Sequence, residues 1–101
     1  MWRYNRSPNN GSDCIGVDLN RNFDSHFGGV GSSNDPCTVM GIYHGPYAFS
    51  EDETQAIRDS LLSLNDRLTV YFAIHSYSQL WMTPYGYTFN LPPNYEKQKL
   101  A

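Results

Sequence analysis

The sequence predicts an α/β chain, and two neighbouring segments predict it: an amphipathic helix with a start signal over residues 50–64, and directly after it a short β-rich apolar run over 68–74. The length sets the scale. With 101 residues the chain has room for one modest core, hence for one domain or part of one.

Taken in order, Asn5 to Gly11 is built of Asn, Arg, Ser, Pro and Gly and reads as a surface loop. Cys14 to Leu19 alternates small and apolar residues and reads as a short extended segment. From Ser25 to Gly45 glycines, a proline and two consecutive serines break any regular pattern, so a long irregular stretch is expected, of the kind that is usually functional in compact domains. Ser50-Glu51-Asp52-Glu53 fits a capping box, with the Ser hydroxyl and the third-following Glu serving amides at a helix start. Its acids also suit the positive end of the helix dipole. Ala56, Ile57, Leu61 and Leu64 then fall on one stripe, which predicts packing against a sheet, and Asn65-Asp66 ends the helix. Leu68 to Ile74 lacks alternation and suits a central strand covered on both faces. Trp81 to Thr83 is a candidate for the next strand, Pro84-Tyr85-Gly86-Tyr87 is turn-like, and the polar residues after Pro92-Pro93-Asn94 start a helix that is expected to be cut off at Ala101.

Seven Lys and Arg stand against ten Asp and Glu, a formal charge of -3, and no basic block is present that would neutralise a run of phosphates. Nucleic acid is excluded as an expected partner. The longest uninterrupted apolar run, Val70 to Ile74, is far too short to cross a bilayer, so no membrane association is expected. The residues after Met1 do not follow a signal-peptide pattern, consistent with a mature product or an internal fragment.

Cys14 and Cys37 lack the short spacing of a metal knuckle or redox motif. A single disulfide is the natural reading, contributing about 3 kcal/mol by restricting the unfolded chain; two unpaired thiols in a reducing compartment are the alternative. Asn5-Arg6-Ser7 and Asn10-Gly11-Ser12 both fit the glycosylation acceptor pattern.

Ligands in open α/β sheets bind at the carboxyl ends of strands, so the cluster His75-Ser76-Tyr77-Ser78-Gln79 stands where a site is expected. His75 offers a neutral nitrogen ligand or a general base, against the ordinary fate of a structural histidine closing a strand. Asn20 and Arg21 place an amide beside a planar guanidinium fork, which is the chemistry of a carboxylate clamp. The commoner fate of such an arginine is a surface ion pair, here with Asp18 or Asp24. Arg3 is a third candidate, a fixed cation able to stabilise charge developing on a carbonyl oxygen.

Cys14-Ile15-Gly16-Val17-Asp18-Leu19-Asn20-Arg21-Asn22-Phe23, Tyr43-His44-Gly45, Phe49-Ser50-Glu51, Ile74-His75-Ser76-Tyr77-Ser78-Gln79 and Pro84-Tyr85-Gly86-Tyr87 together resemble the pancreatic-type zinc carboxypeptidases, the A/B group. The resemblance runs from Trp2 to about Tyr87, with a few extra residues between Cys37 and the helix. It implies that the chain is a fragment, residues 1–101 forming the central part of the catalytic domain, an α/β/α layer structure with a mixed central sheet. It implies a secreted, extracellular, monomeric hydrolase that removes the C-terminal residue of peptides and proteins with one zinc ion. By the same resemblance His75 is the third zinc ligand, and Asn20 and Arg21 hold the substrate's terminal carboxylate. Arg3 stabilises the oxyanion, Ser76 and Tyr77 line the substrate groove, Met82 and Gly86 line the side-chain pocket, and Cys14 pairs with Cys37.

The departures are equally specific. A catalytic zinc takes three protein ligands, and the family's His-x-x-Glu motif, which supplies the other two, does not occur here: Gly29, Tyr47 and Ser78 stand three residues after the histidines. The family's general-base glutamate and substrate-capping tyrosine lie beyond the matched region. The chain alone is therefore expected to be inactive. Two other readings follow from the same residues. One is a small protein on a degenerate carboxypeptidase framework that binds peptide C-termini without cleaving them; the other is a zinc site made of His26, His44 and His75, which lacks the short-range ligand pair usual in such sites.

Overall fold

The computed structural model describes residues 2–99, in two compact units that meet at the Thr69–Val70 boundary. In the first unit the chain doubles back on itself. Residues 14–18 cross the segment Tyr4–Pro8, with Asn5 N donating to Val17 O at 3.1 Å, Gly16 N donating to Ser7 O at 2.7 Å, and an isolated antiparallel bridge between Pro8 and Ile15. Gly16 makes the crossing possible: at φ +89° a Cβ there would stand 2.5 Å from Asn5 O and 2.6 Å from Tyr4 Cβ. No other residue fits so close an approach.

The extended reading of residues 14–19 is corrected at its end, where Leu19–Arg21 forms a 3-10 turn. Asp18 caps it by accepting from Asn20 N at 3.2 Å, the usual means of satisfying an orphan amide at a helical start. The long stretch that follows is irregular, as its chain-breakers dictate. It is tied back by a parallel bridge between Ser33 and Tyr43, by Asp18 N donating to Tyr43 O at 2.9 Å, and by the Cys14–Cys37 disulfide, whose Cα atoms are 5.3 Å apart.

The fully buried side chains of this unit are mostly polar. Val17 and Tyr43 are the buried apolar residues among those described, beside Asp18, Asn22, Glu51 and Thr54. Asn22 is the centre. Its Nδ2 donates to His44 O, Tyr47 O and Ser50 Oγ at 2.9, 3.1 and 2.8 Å, and its Oδ1 accepts from Glu51 N at 3.2 Å and Thr54 Oγ1 at 2.7 Å. Its backbone carbonyl accepts from Phe49 N at 2.7 Å.

Helix α1 spans Asp52–Leu64. The expected capping box does not form: Glu51 is the N-cap, its side chain caps nothing, and Ser50 Oγ instead donates to Glu51 Oε1 at 2.6 Å. The Ser50 amide that a capping box would serve donates to Tyr47 O at 3.2 Å, and Asn22 Oδ1 takes the neighbouring amide of Glu51 at 3.2 Å. Glu51 in turn accepts from Ser7 Oγ and from Asn5 Nδ2. The helix ends where Asn65 turns to φ 45°, and a 3-10 turn over Asn65–Arg67 follows. The apolar stripe is only partly covered, with Ile57 38% and Leu64 37% exposed.

In the second unit the expected strands over 68–74 and 81–83 are absent from the described residues, and so is the mixed sheet. A strand is held by ladder hydrogen bonds to a neighbouring strand, and among the described residues this run makes none, Leu68 N donating instead to Asn65 O of the preceding turn at 3.1 Å; Phe72 is 60% and Ile74 94% exposed. Local ring contacts replace the ladder, Phe72 against Trp81 at 5.5 Å and Tyr85 against Tyr87 at 5.1 Å between centroids. The predicted last helix is α2, Tyr95–Lys99, entered through Asn94, whose Oδ1 accepts from Gln98 Nε2 at 3.0 Å. Its expected continuation to Ala101 lies outside the described residues.

Two outcomes follow for the intact protein. Asn22→Ala strands three acceptors and two donors in the interior and should lower the stability read from a urea transition by on the order of 3 kcal/mol, while Asn22→Asp, which keeps the acceptors and adds a charge beside Glu51, should not restore it. Burial pushes the Glu51 carboxyl up, but hydrogen bonds from Ser50, Ser7 and Asn5 outweigh it and hold the group below the ordinary glutamate value. A depressed folded-state pKa stabilises the fold above the unfolded value, about 4.3, and that stabilisation is lost as pH falls through the folded value. Urea midpoints taken between neutral pH and pH 3 should therefore fall less steeply for Glu51→Gln than for the parent.

Candidate functional site

The 3-10 turn at Leu19–Arg21 presents the amide and the guanidinium singled out by the sequence, and buried Asp18 organises the cations around it. Asp18 is 3% exposed. Its Oδ2 accepts from Arg3 Nη2 at 2.7 Å and from Arg3 Nε at 3.0 Å, and lies 3.9 Å from Arg21 Nε. Its Oδ1 holds the Asn20 amide. Two guanidinium groups thus share one carboxylate, and the cluster keeps a surplus positive charge.

Arg21 is anchored from behind. Its Nε donates to Gly31 O at 2.8 Å and its Nη1 to Asn20 O at 3.3 Å, which leaves Nη2 and a further Nη1 proton without a partner among the described residues. The Asn20 side chain is exposed and also makes no hydrogen bond there. Of the expected ion pairs the one to Asp18 is present, at 3.9 Å, and it is joined by the closer bond from Nε to the Gly31 carbonyl; neither engages the outer edge of the guanidinium. A half-exposed guanidinium fixed at one edge, with spare donors at the other, is pre-arranged for a planar anion.

Asp18 enters the sequence reading only as a possible surface partner of Arg21, not as the buried carboxylate that organises both arginines. A signal existed, since an Asp directly before a short helical turn is a cap candidate, but nothing in the sequence says that Arg3, fifteen residues away, reaches the same oxygen. A cleft of about 780 Å³ in the same unit is lined by residues including Asn5, Ser7, Tyr43, Tyr47, Glu51 and Glu53, and by none of Arg3, Asn20 or Arg21. Its acidic lining makes it a poor receptor for a carboxylate.

His75, Ser76, Tyr77, Met82 and Gly86 lie in the second unit, all exposed. Among the described residues no three His, Cys, Asp or Glu side chains are gathered to hold a metal ion, so the three-histidine reading finds no support in the geometry. His44 is engaged otherwise, with Nδ1 2.6 Å from Gly45 O and its ring 4.5 Å from that of Phe27. A catalytic zinc requires three protein ligands, and the residues of this chain do not fit a complete site.

The zinc carboxypeptidase family matches residues 1–101. Mast cell carboxypeptidase A of Mus musculus is 48% identical over 96 residues, covering 95% of this chain and 22% of the relative. Carboxypeptidase B of Bos taurus is 45% identical over 94 residues, covering 93% of this chain and 22% of the relative. Among solved structures, bovine thrombin-activatable fibrinolysis inhibitor in complex with tick carboxypeptidase inhibitor matches with a TM-score of 0.89 at 41% identity, over 96% of this chain and 32% of that one. The chain thus spans under a third of each relative's length.

The two arginines should respond differently to loss of the shared carboxylate. In Asp18→Asn the Arg3 Nε proton, bonded to that carboxylate, should exchange with solvent roughly tenfold faster or more, as loss of a charged hydrogen bond implies. The Arg21 Nε proton, held by Gly31 O, should change much less; nitrogen-resolved proton exchange reads both.

Proposed function

This chain belongs to the zinc carboxypeptidase family, and from that premise we propose that it is the central part, residues 1–101, of the catalytic domain of a zinc-dependent hydrolase that removes the C-terminal residue of peptides and proteins. The coverage supports the partial-domain reading, since 95% of the chain corresponds to 22% of a relative at 48% identity. In the complete domain the mixed central sheet would take up Leu68 to Ile74 as a strand.

The observation that carries the proposal is the state of Arg21: its Nε is bonded to Gly31 O at 2.8 Å while its far edge keeps free donors next to the free amide of Asn20. A terminal peptide carboxylate presents two coplanar oxygens, which matches such a fork in two parallel hydrogen bonds. An internal peptide segment has no such group, which accounts for an enzyme confined to chain ends. Arg3 serves the other charge, the oxyanion that forms as the scissile carbonyl becomes tetrahedral. Such donors are effective when they are already in place before the charge develops, and the two bonds to Asp18 hold the Arg3 guanidinium in one orientation.

His75 is proposed as one ligand of the zinc ion, with the other ligands drawn from the remainder of a longer polypeptide. Ser76 and Tyr77 are assigned to the substrate groove, and Met82 and Gly86 to the side-chain pocket, where an uncharged Met and a Gly suit an apolar residue better than a basic one. The disulfide suits an oxidising compartment, and no helix among the described residues is long and apolar enough to cross a membrane. An extracellular, monomeric enzyme is the reading that combines these.

The test compares a peptide with a free C-terminus and the same peptide amidated, as ligands of the intact protein. Arg21→Ala should weaken the free acid by about 10- to 100-fold, the equivalent of a charge-assisted bond of about 1.5 to 3 kcal/mol, and leave the amide nearly unchanged. Arg21→Lys should restore little, because a point charge cannot present the fork. Undiminished preference for the free acid in Arg21→Ala would overturn the assignment.

A further inference from the structure

Two glycosylation acceptor patterns lie within eight residues of each other, and the structure treats their asparagines in opposite ways. We propose that Asn10 carries an N-linked oligosaccharide in the folded, secreted protein and that Asn5 does not; the inference rests on the extracellular reading above.

Asn5 is committed to the fold at both ends of its amide. Its Oδ1 accepts from Val17 N at 2.8 Å, and its Nδ2 donates to Ser7 Oγ at 2.9 Å and to Glu51 Oε2 at 2.5 Å. The hydroxyl of its own pattern, Ser7 Oγ, donates to Glu51 as well. A sugar on Asn5 Nδ2 would replace one of the two protons that bind these acceptors and would wedge a ring against the start of α1. A chain so modified loses the contacts that hold the depressed Glu51 carboxylate in place.

The Asn10 side chain carries none of these obligations, although the hydroxyl of its pattern, Ser12 Oγ, accepts from Cys14 N at 3.1 Å and lies 3.4 Å from Cys37 Sγ. Ser12 N donates to Asn9 O at 3.1 Å, which puts Asn10 and Gly11 at the two central positions of a tight turn. The turn is the tip of the loop closed by the Pro8–Ile15 bridge. Asn10 is exposed and its side chain makes no hydrogen bond to any described residue. The space around the tip is open: a Cβ built on Gly11 meets nothing within 4 Å. A bulky hydrophilic group attached at such a tip displaces only solvent, which is the setting the acceptor pattern requires.

The chemistry balances without help from this protein. Asn10 Nδ2 forms a bond to C1 of an oligosaccharide donated from a lipid-linked pyrophosphate; the C1–oxygen bond to that pyrophosphate breaks, and the amide proton leaves with the lipid pyrophosphate. The donor and its transferase belong to the secretory compartment.

To test this, the intact protein is expressed behind an added secretory leader, which fixes its exposure to the transferase whatever its native compartment. The secreted, folded fraction is then treated with peptide N-glycosidase in heavy-oxygen water, so that each glycosylated Asn becomes a labelled Asp. The expected result is label at position 10, none at position 5, and complete loss of the glycosidase-sensitive mass shift in Asn10→Gln. An unlabelled position 10, or label at position 5 comparable to that at 10, overturns the inference. Because the leader sets the compartment, failure of the extracellular reading cannot produce either negative result.

Discussion

The first unit depends on one buried primary amide. Asn22 has no exposed surface, and its short planar side chain joins three parts of the chain that are far apart in sequence: the end of the 3-10 turn, the loop over 44–50, and the first turn of α1. The chemistry explains why the residue is Asn. Two donors and an acceptor on a side chain of this length are found in no apolar residue, and Asp would present acceptors to acceptors. Since Nδ2 has two protons and three acceptors, at least one bond is shared. Such a network is costly if any member is missing, because each stranded group keeps its full desolvation penalty.

The proposed clamp inherits its position from this arrangement. Asn20 and Arg21 sit on a single 3-10 turn whose N-terminal cap is Asp18 and whose C-terminal cap is Asn22, both buried. Between two fixed ends the turn has little freedom, so the exposed amide of Asn20 and the guanidinium of Arg21 are held by buried neighbours. The electrostatics point the same way. One carboxylate for two guanidinium groups is enough to orient them and too little to neutralise them, so an anion still meets a positive field. A second carboxylate at this point would cancel that field.

What the sequence made legible, and what it hid, divides along physical lines. Local signals were readable: α1, its stop at Asn65, the irregular stretch and the start of α2 all follow from periodicity and chain-breakers within a few residues. The start of α1 was misassigned in its detail. Ser50 and Glu53 have the spacing of a capping box, but the Ser50 hydroxyl turns to Glu51 and the Glu51 amide to Asn22, twenty-nine residues earlier, and a contact made across the fold leaves no local trace. The same holds for Asp18 with Arg3. The strand over 68–74 does not form among the described residues for a related reason: its composition suits a covered strand, but a ladder needs neighbours, and composition does not say where those neighbours come from.

That contrast explains why motifs identified the family while the candidate site was only half legible. Asn20, Arg21 and Arg3 are recognisable because their chemistry is displayed, whereas the residues that orient them, Asp18 and Asn22, look like ordinary polar residues until their burial is seen. The apolar residues behave in the opposite way. Ile57, Leu64, Phe72 and Ile74 read as core positions in the sequence yet keep much of their surface exposed, since hydrophobic burial needs facing apolar area and the described residues supply little of it here. Hydrogen bonds and the disulfide need specific partners at specific distances, and these partners lie within the first unit itself. The geometry of Asn20 and Arg21, the proposed carboxylate clamp, is therefore set by directed contacts inside a short length of chain and does not wait on the burial of the larger apolar surfaces.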